Sequence, residues 1–111
     1  IEIARQAAEA FGQVVLLKGY GTVITDGHRV HINRTGNSAL SKAGTGDVLS
    51  GVIGALLGQD LGPFDAACLG AWLHGRAGEL AAERLGLRSV LARDVVEALP
   101  QALAERERQV A

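Results

Sequence analysis

Apolar residues recur at Ile3, Ala7 and Ala10 or Phe11, the spacing of one helix face over residues 1–10, and Gly12 follows where a left-handed helix stop belongs. The period then changes. Val14 to Leu17 is a short apolar run with no polar alternation, which predicts a strand covered on both faces, as in an α/β sheet. Lys18 closes that run and Gly19-Tyr20-Gly21 turns the chain. Thr22 to Thr25, the tight-turn dipeptide Asp26-Gly27 and the return from Arg29 to Ile32 predict a β-hairpin over residues 22–32. From Asn33 to Gly46 the composition shifts to Asn, Thr, Ser and Gly, a loop of more than ten residues, and loops of that length in a compact domain tend to carry function. Asp47 to Gln59 is apolar nearly all round, with Gly51, Gly54 and Gly58, and predicts a buried helix packed closely on the sheet. Gly62-Pro63 breaks it. Phe64 to Leu85 predicts a long helix with Arg76, Glu79 and Glu83 on one stripe and Leu73, Ala77 and Leu80 opposite. After Gly86, Ala92 to Leu99 reads as a short helix, and Pro100 starts or kinks another that frays into Glu105-Arg106-Glu107-Arg108.

With 111 residues the chain has room for one domain, and residues 1–111 are read as a single partial domain. It opens at Ile1, without a methionine and directly in helical pattern, so it is expected to be a piece of a longer protein. The formal charge is -1 and no face or tail collects the cations, which removes the electrostatic case for nucleic acid or an anionic membrane as partner. The longest uncharged apolar stretch, Val48 to Gly58, is shorter than the ~20 residues of a membrane span. Cys68 is the single cysteine, so no intrachain disulfide can form, and this fits a reducing cytoplasm.

The sharpest chemical signal is Gly44-Thr45-Gly46-Asp47, between a polar loop and a helix. Glycines let the backbone approach a phosphate, the first N–H groups of a helix have no partner one turn back, and the positive end of its dipole points outward. Asp47 there has two readings. It can be the helix N-cap, a common role that alone would explain it. It can also be a base that takes a proton from a hydroxyl while the amides of Gly44, Thr45 and Gly46 hold the charge on a moving phosphoryl group. No Lys-Ser or Lys-Thr follows the glycines, which disfavours a P-loop. The second signal is Lys18-Gly19-Tyr20-Gly21-Thr22 at the end of a strand, where open α/β sheets place ligands, with a solvated lysine and a plain turn as the alternative. His28 and His31 lie three apart around the hairpin and form no simple ligand pair. His74 reads as a packed or hydrogen-bonded residue, Cys68 as a small buried hydrophobe, and Trp72 as core.

Taken together, Leu17-Lys18-Gly19-Tyr20-Gly21-Thr22, Asn33-Arg34-Thr35-Gly36-Asn37 and Gly44-Thr45-Gly46-Asp47-Val48-Leu49-Ser50-Gly51 resemble the ADP- or ATP-dependent NAD(P)H-hydrate dehydratases. Leu73-His74-Gly75 and the segments Ala92-Arg93-Asp94 and Leu99-Pro100 look like that family's carboxyl-terminal helices, so the resemblance covers nearly the whole chain. Ser41-Lys42-Ala43 departs from the family's smaller, glycine-richer residues. The resemblance implies a ribokinase-like α/β fold, of which this chain would be the carboxyl-terminal part of a three-layer αβα sandwich with a mostly parallel sheet. It also implies repair of hydrated NADH or NADPH through a phosphorylated intermediate, with ADP or ATP as phosphoryl donor. On that footing Asp47 would be the catalytic base. Lys18, Gly19, Tyr20, Gly21, Thr22 and Gly46 would hold the nucleotide, Gly44, Thr45 and Gly46 would form the anion hole, and Asn37 with Asp47 would contact the substrate. Mg²⁺ is implied too, with its ligands outside this chain. Val14 to Leu17 has no polar face and would leave an apolar edge in so short a piece, so residues 1–111 are expected to be ordered only in a longer chain or a homo-oligomer, and inactive alone. Two other readings stay open at this point, a ribokinase-like kinase of a sugar or vitamin alcohol and a non-catalytic nucleotide-binding fragment.

Overall fold

A computed structural model describes residues 1–18, 21–41 and 44–110. Helix α1 (Glu2–Phe11) ends at Gly12, whose φ of 62° supplies the expected left-handed stop. Its inward face differs from the sequence reading. Ala4 and Ala8 are fully buried, while Ile3 is 78% exposed. Helical spacing fits both phases, and the small methyls of Ala4 and Ala8 are the pair that lets α1 lie against the sheet.

Strands β1 (Val15–Leu17), β2 (Thr22–Thr25) and β3 (Val30–Asn33) form one sheet in that order, antiparallel throughout, with Leu16 opposite Ile24 and Ile24 opposite His31. The parallel pairing implied for the family's central sheet does not occur among these three strands, because each return is too short to make a crossover. Nor is β1 covered on both faces. It is an edge strand, with Val15 and Leu16 half-buried and Leu17 exposed. The hairpin turn is built as its sequence predicts. Asp26 Oδ1 accepts hydrogen bonds from the His28 and Arg29 amides at 2.9 and 2.7 Å, and Gly27 takes a φ of 101°. His28 and His31 are both exposed.

Helix α3 (Pro63–Leu85) starts with Pro63 after the N-cap Gly62 and is the element on which the rest assembles. Ala67 and Ala71 pack with Ile24 of the sheet. Leu73, Ala77 and Leu80 pack in a second cluster with Leu56, Val95 and Ala102 of the two remaining helices, and the charged stripe is not opposite them, since its Arg76 reaches Glu105 of α4 as well. Those helices are α2 (Thr45–Leu57) and α4 (Ala92–Val110). Cys68 is half-buried against the sheet cluster, and burial pushes its thiol up to about 11, so it behaves as a small hydrophobe.

Two helices depart from expectation. α2 is not buried all round and does not lie on the sheet. Its contact side is Val48, Leu49, Val52, Ile53 and Leu56, against α3, and Cβ atoms added at Gly51 or Gly54 would meet nothing within 4 Å. The close backbone approaches belong to Gly70, Gly75 and Gly78 of α3. α4 is one continuous helix with Pro100 inside it, not two. Pro100 is exposed, and so is Val96 one turn back, so the backbone bond that proline removes is lost where water can replace it. At the start of α4 the Leu91 amide donates to Asp94 Oδ2 at 2.8 Å.

Candidate functional site

The polar segment after β3 is held against α3 by hydrogen bonds that leave little choice of path. Asn33 Nδ2 donates to the Ala71 carbonyl at 3.1 Å, Thr35 Oγ1 to the Trp72 carbonyl at 3.0 Å, and the Gly36 amide to Glu79 Oε2 at 3.1 Å. Gly75 makes room for it. A Cβ there would overlap Thr35 Oγ1 and lie 2.6 Å from the Thr35 carbonyl carbon. Gly36 takes a φ of 109°, a conformation few other residues tolerate. A short 3-10 turn, Ser38–Ser41, then leads toward α2.

The start of α2 is set from below. Thr45 is buried, its hydroxyl donates to the Leu40 carbonyl, and its own carbonyl accepts from His74 Nε2 at 2.8 Å. Burial pushes the His74 imidazole below its ordinary range, the hydrogen bond to Thr45 works against that, and the charge of Lys18 adds to it. A neutral ring donating through Nε2 is the state that fits.

Asp47 is not the N-cap. That position is Gly44, with a φ of 89°, and no side chain caps the helix. Asp47 stands in the first turn, exposed, with no hydrogen bond or ion pair among the described residues. The structural role that would have explained it is therefore absent. What is left is an available carboxylate beside the positive end of a helix, an arrangement worth about 0.3–1 kcal/mol in itself.

The two sequence signals meet. A Cβ added at Gly46 would lie 3.4 Å from Lys18 Nζ, so the ammonium group from the end of β1 stands over the first turn of α2. Lys18, Gly21, Thr22 and Asn37 line one cavity of about 770 Å³, together with Arg34, Thr35 and His74. Gly44, Thr45, Gly46 and Asp47 are not among its lining residues; they lie next to it through the Lys18–Gly46 approach. Gly19 and Tyr20, and Lys42 and Ala43 of the departure from the family pattern, lie outside the described residues. Sequence reasoning singled out neither Asn33 nor Thr35 as anchors of the cavity wall, and it gave His74 no place beside α2. The visible signal was an Asn-x-Thr-Gly run directly after a strand, the composition of a side-chain-bonded turn.

Mg²⁺ needs several oxygen ligands, carboxylates foremost. Among the described residues no group of three or more His, Cys, Asp or Glu side chains could hold a metal ion, so they form no protein-only cage for it. No helix among the described residues is long and apolar enough to cross a membrane.

A sequence profile of the NAD(P)H-hydrate dehydratases matches residues 1–101. The chain belongs to the NAD(P)H-hydrate dehydratase family. It is similar to the bifunctional NAD(P)H-hydrate repair enzyme Nnr of Moorella thermoacetica, 48% identical over 112 residues that cover 99% of this chain and 21% of that protein. The ADP-dependent (S)-NAD(P)H-hydrate dehydratase of Neisseria meningitidis is 43% identical over 88 residues, 78% of this chain and 30% of that one. Among solved structures, the Bacillus subtilis ADP/ATP-dependent NAD(P)H-hydrate dehydratase co-crystallised with ATP/Mg²⁺ superposes with a TM-score of 0.87 at 34% identity, covering 94% of this chain and 38% of that one. The α/β fold read from the sequence is thus the fold of this dehydratase family. The chain spans about a fifth of the length of the Nnr relatives it matches.

Proposed function

We propose that this segment forms the phosphoryl-transfer side of an enzyme that dehydrates hydrated NADH or NADPH at the expense of ADP or ATP. The observation that carries the reading is the convergence of Lys18 with the glycine-rich start of α2, next to a carboxylate that caps nothing. Helix-start amides and an ammonium group suit the phosphates of an adenine nucleotide, and Lys18, Gly21 and Thr22 border the cavity that would take the rest of it. Asn37, which lines the same cavity, is assigned to the hydrate with Asp47.

The chemistry follows from a poor leaving group. Hydroxide leaves badly, so Asp47 takes the proton of the ring hydroxyl as its oxygen forms a bond to the terminal phosphorus of the nucleotide. The bridging P–O bond breaks and releases AMP from ADP, or ADP from ATP, while the amides of Gly44 to Gly46 and Lys18 balance the charge on the transferred group. The ring nitrogen's lone pair then expels phosphate, which leaves with the C–O bonding electrons. Loss of a proton from the adjacent ring carbon restores the double bond. Mg²⁺, as in the Bacillus subtilis ATP/Mg²⁺ crystals, would be held by residues outside this chain. The reading also carries a cytoplasmic setting and self-association.

Incubating the complete protein with hydrated NADH and ADP or ATP tests this. Free phosphate and restored reduced-nicotinamide absorbance are expected in equal amounts. A stable phosphorylated alcohol would make the protein a kinase, and nucleotide binding without turnover would make it a binding module.

A further inference from the structure

Glu79 lies one turn beyond Gly75 on α3, and both of its carboxylate oxygens are in use. Oε2 accepts from the Gly36 amide at 3.1 Å, and Oε1 accepts from Arg76 Nη1 at 3.1 Å. Arg76 spends its remaining donors on α4, with Nε to Glu105 Oε2 at 2.7 Å and Nη2 to Glu105 Oε1 at 3.1 Å, a bidentate pair. The three side chains are 21–29% exposed, so they are shielded from solvent more than an ordinary surface network. The result is a continuous polar linkage from α4 through α3 to the backbone of the cavity wall. It ends on the one residue, Gly36, that precedes Asn37 and cannot reach α3 with a side chain of its own. The carbonyls of Ala71 and Trp72 hold the same wall only as far as Thr35. At Gly36 itself, Glu79 supplies an anchor.

We propose that Glu79 is a positioning residue for hydrate binding: its carboxylate fixes the Gly36–Asn37 part of the cavity wall, and the Arg76–Glu105 pair fixes the carboxylate. The proposal rests on the dehydratase reading given above. It differs from a purely structural role in what it predicts. Fixing this wall sets where the hydrate side of the cavity stands and leaves the Lys18 side untouched, so Glu79→Ala should raise the KM for the hydrate and leave that for the nucleotide unchanged. A lost hydrogen bond to a charged group corresponds to a rise of about 10- to 100-fold. Glu79→Gln keeps an oxygen for the Gly36 amide and loses only the ion pair, so it should recover most of the affinity.

The test is made on the complete protein with two readouts, steady-state KM for hydrated NADH and for ADP, and amide hydrogen exchange over residues 34–37. Faster exchange in that segment together with the selective rise in hydrate KM supports the proposal. Unchanged exchange overturns it, as does an equal rise in both KM values, which would mark a general loss of structure. If Glu79→Ala does not fold, Arg76→Lys, which keeps the charge and loses the bidentate hold on Glu105, must show the same pattern at smaller size or the proposal fails. If the unaltered protein does not turn over hydrated NADH at all, the dehydratase reading fails and hydrate positioning with it. The exchange data then separately report whether Glu79 anchors the wall.

Discussion

Gly75 and Gly51 sit in neighbouring helices and differ in what surrounds them. Replacing a helical glycine with alanine gains about 1 kcal/mol from propensity alone. At Gly51 nothing lies within 4 Å of the added methyl, so Gly51→Ala should stabilise the chain by an amount of that order. At Gly75 the methyl would meet the backbone of Thr35 at 2.6 Å, which must shift, and overpacking of this kind costs about 1–3 kcal/mol. Gly75→Ala should therefore be net destabilising. Urea unfolding of the two variants decides it, and a gain for both would mean the Thr35 loop yields freely. A glycine's role here depends on its neighbour, which explains why the glycines of Asp47 to Gln59 misled the sequence reading. Their spacing suggested close packing, but the packing glycines are the three on α3, where Gly70 meets Ile53, Gly75 meets Thr35 and Gly78 meets Leu40.

At the scale of elements, the junction of α2 and α3 turns on a neutral histidine. Burial lowers the His74 pKa below its ordinary 6.5, so between that value and the lowered one the unfolded chain binds more protons than the folded chain. Stability from this group is complete above 6.5 and is lost as the pH falls from there toward the lowered value. Thermal unfolding on either side of 6.5 should show that loss, and His74→Gln should flatten it; an unchanged slope would place the ring elsewhere. The hairpin was readable because Asp26-Gly27 encodes its turn locally, through a carboxylate that reaches two amides and a backbone only glycine favours. The ends of α1 were readable too, whereas its buried face was not, since the choice between Ile3 and Ala4 is made by the partner sheet. Asp47 shows the same limit at the site. Its type and position suggested a cap, and only the φ of Gly44 showed that the helix starts earlier. For β1, the apolar run announced a strand correctly, but the covering it implied on both faces is not seen, with Leu17 exposed.

Across the whole molecule, α3 carries both halves of the architecture, the sheet on one side and α2 with α4 on the other. It is also the platform for the cavity wall, through Ala71, Trp72, Gly75 and Glu79. Lys18, Gly21 and Thr22 line the same space, and the start of α2 lies next to it through Lys18. Residues distant in sequence, Lys18, Gly36 and His74, thereby line one space, with Gly46 next to it through Lys18. On the proposed function, a phosphoryl group is transferred beside this space with Asp47 as base. The direct measurement is turnover of hydrated NADH by Asp47→Asn in the complete protein, beside its affinity for ADP. Asparagine keeps the size and hydrogen-bonding reach of the side chain and cannot take the proton. The account predicts a fall in kcat of about 10²–10⁴-fold with ADP affinity nearly unchanged. Turnover at the parental rate would contradict it.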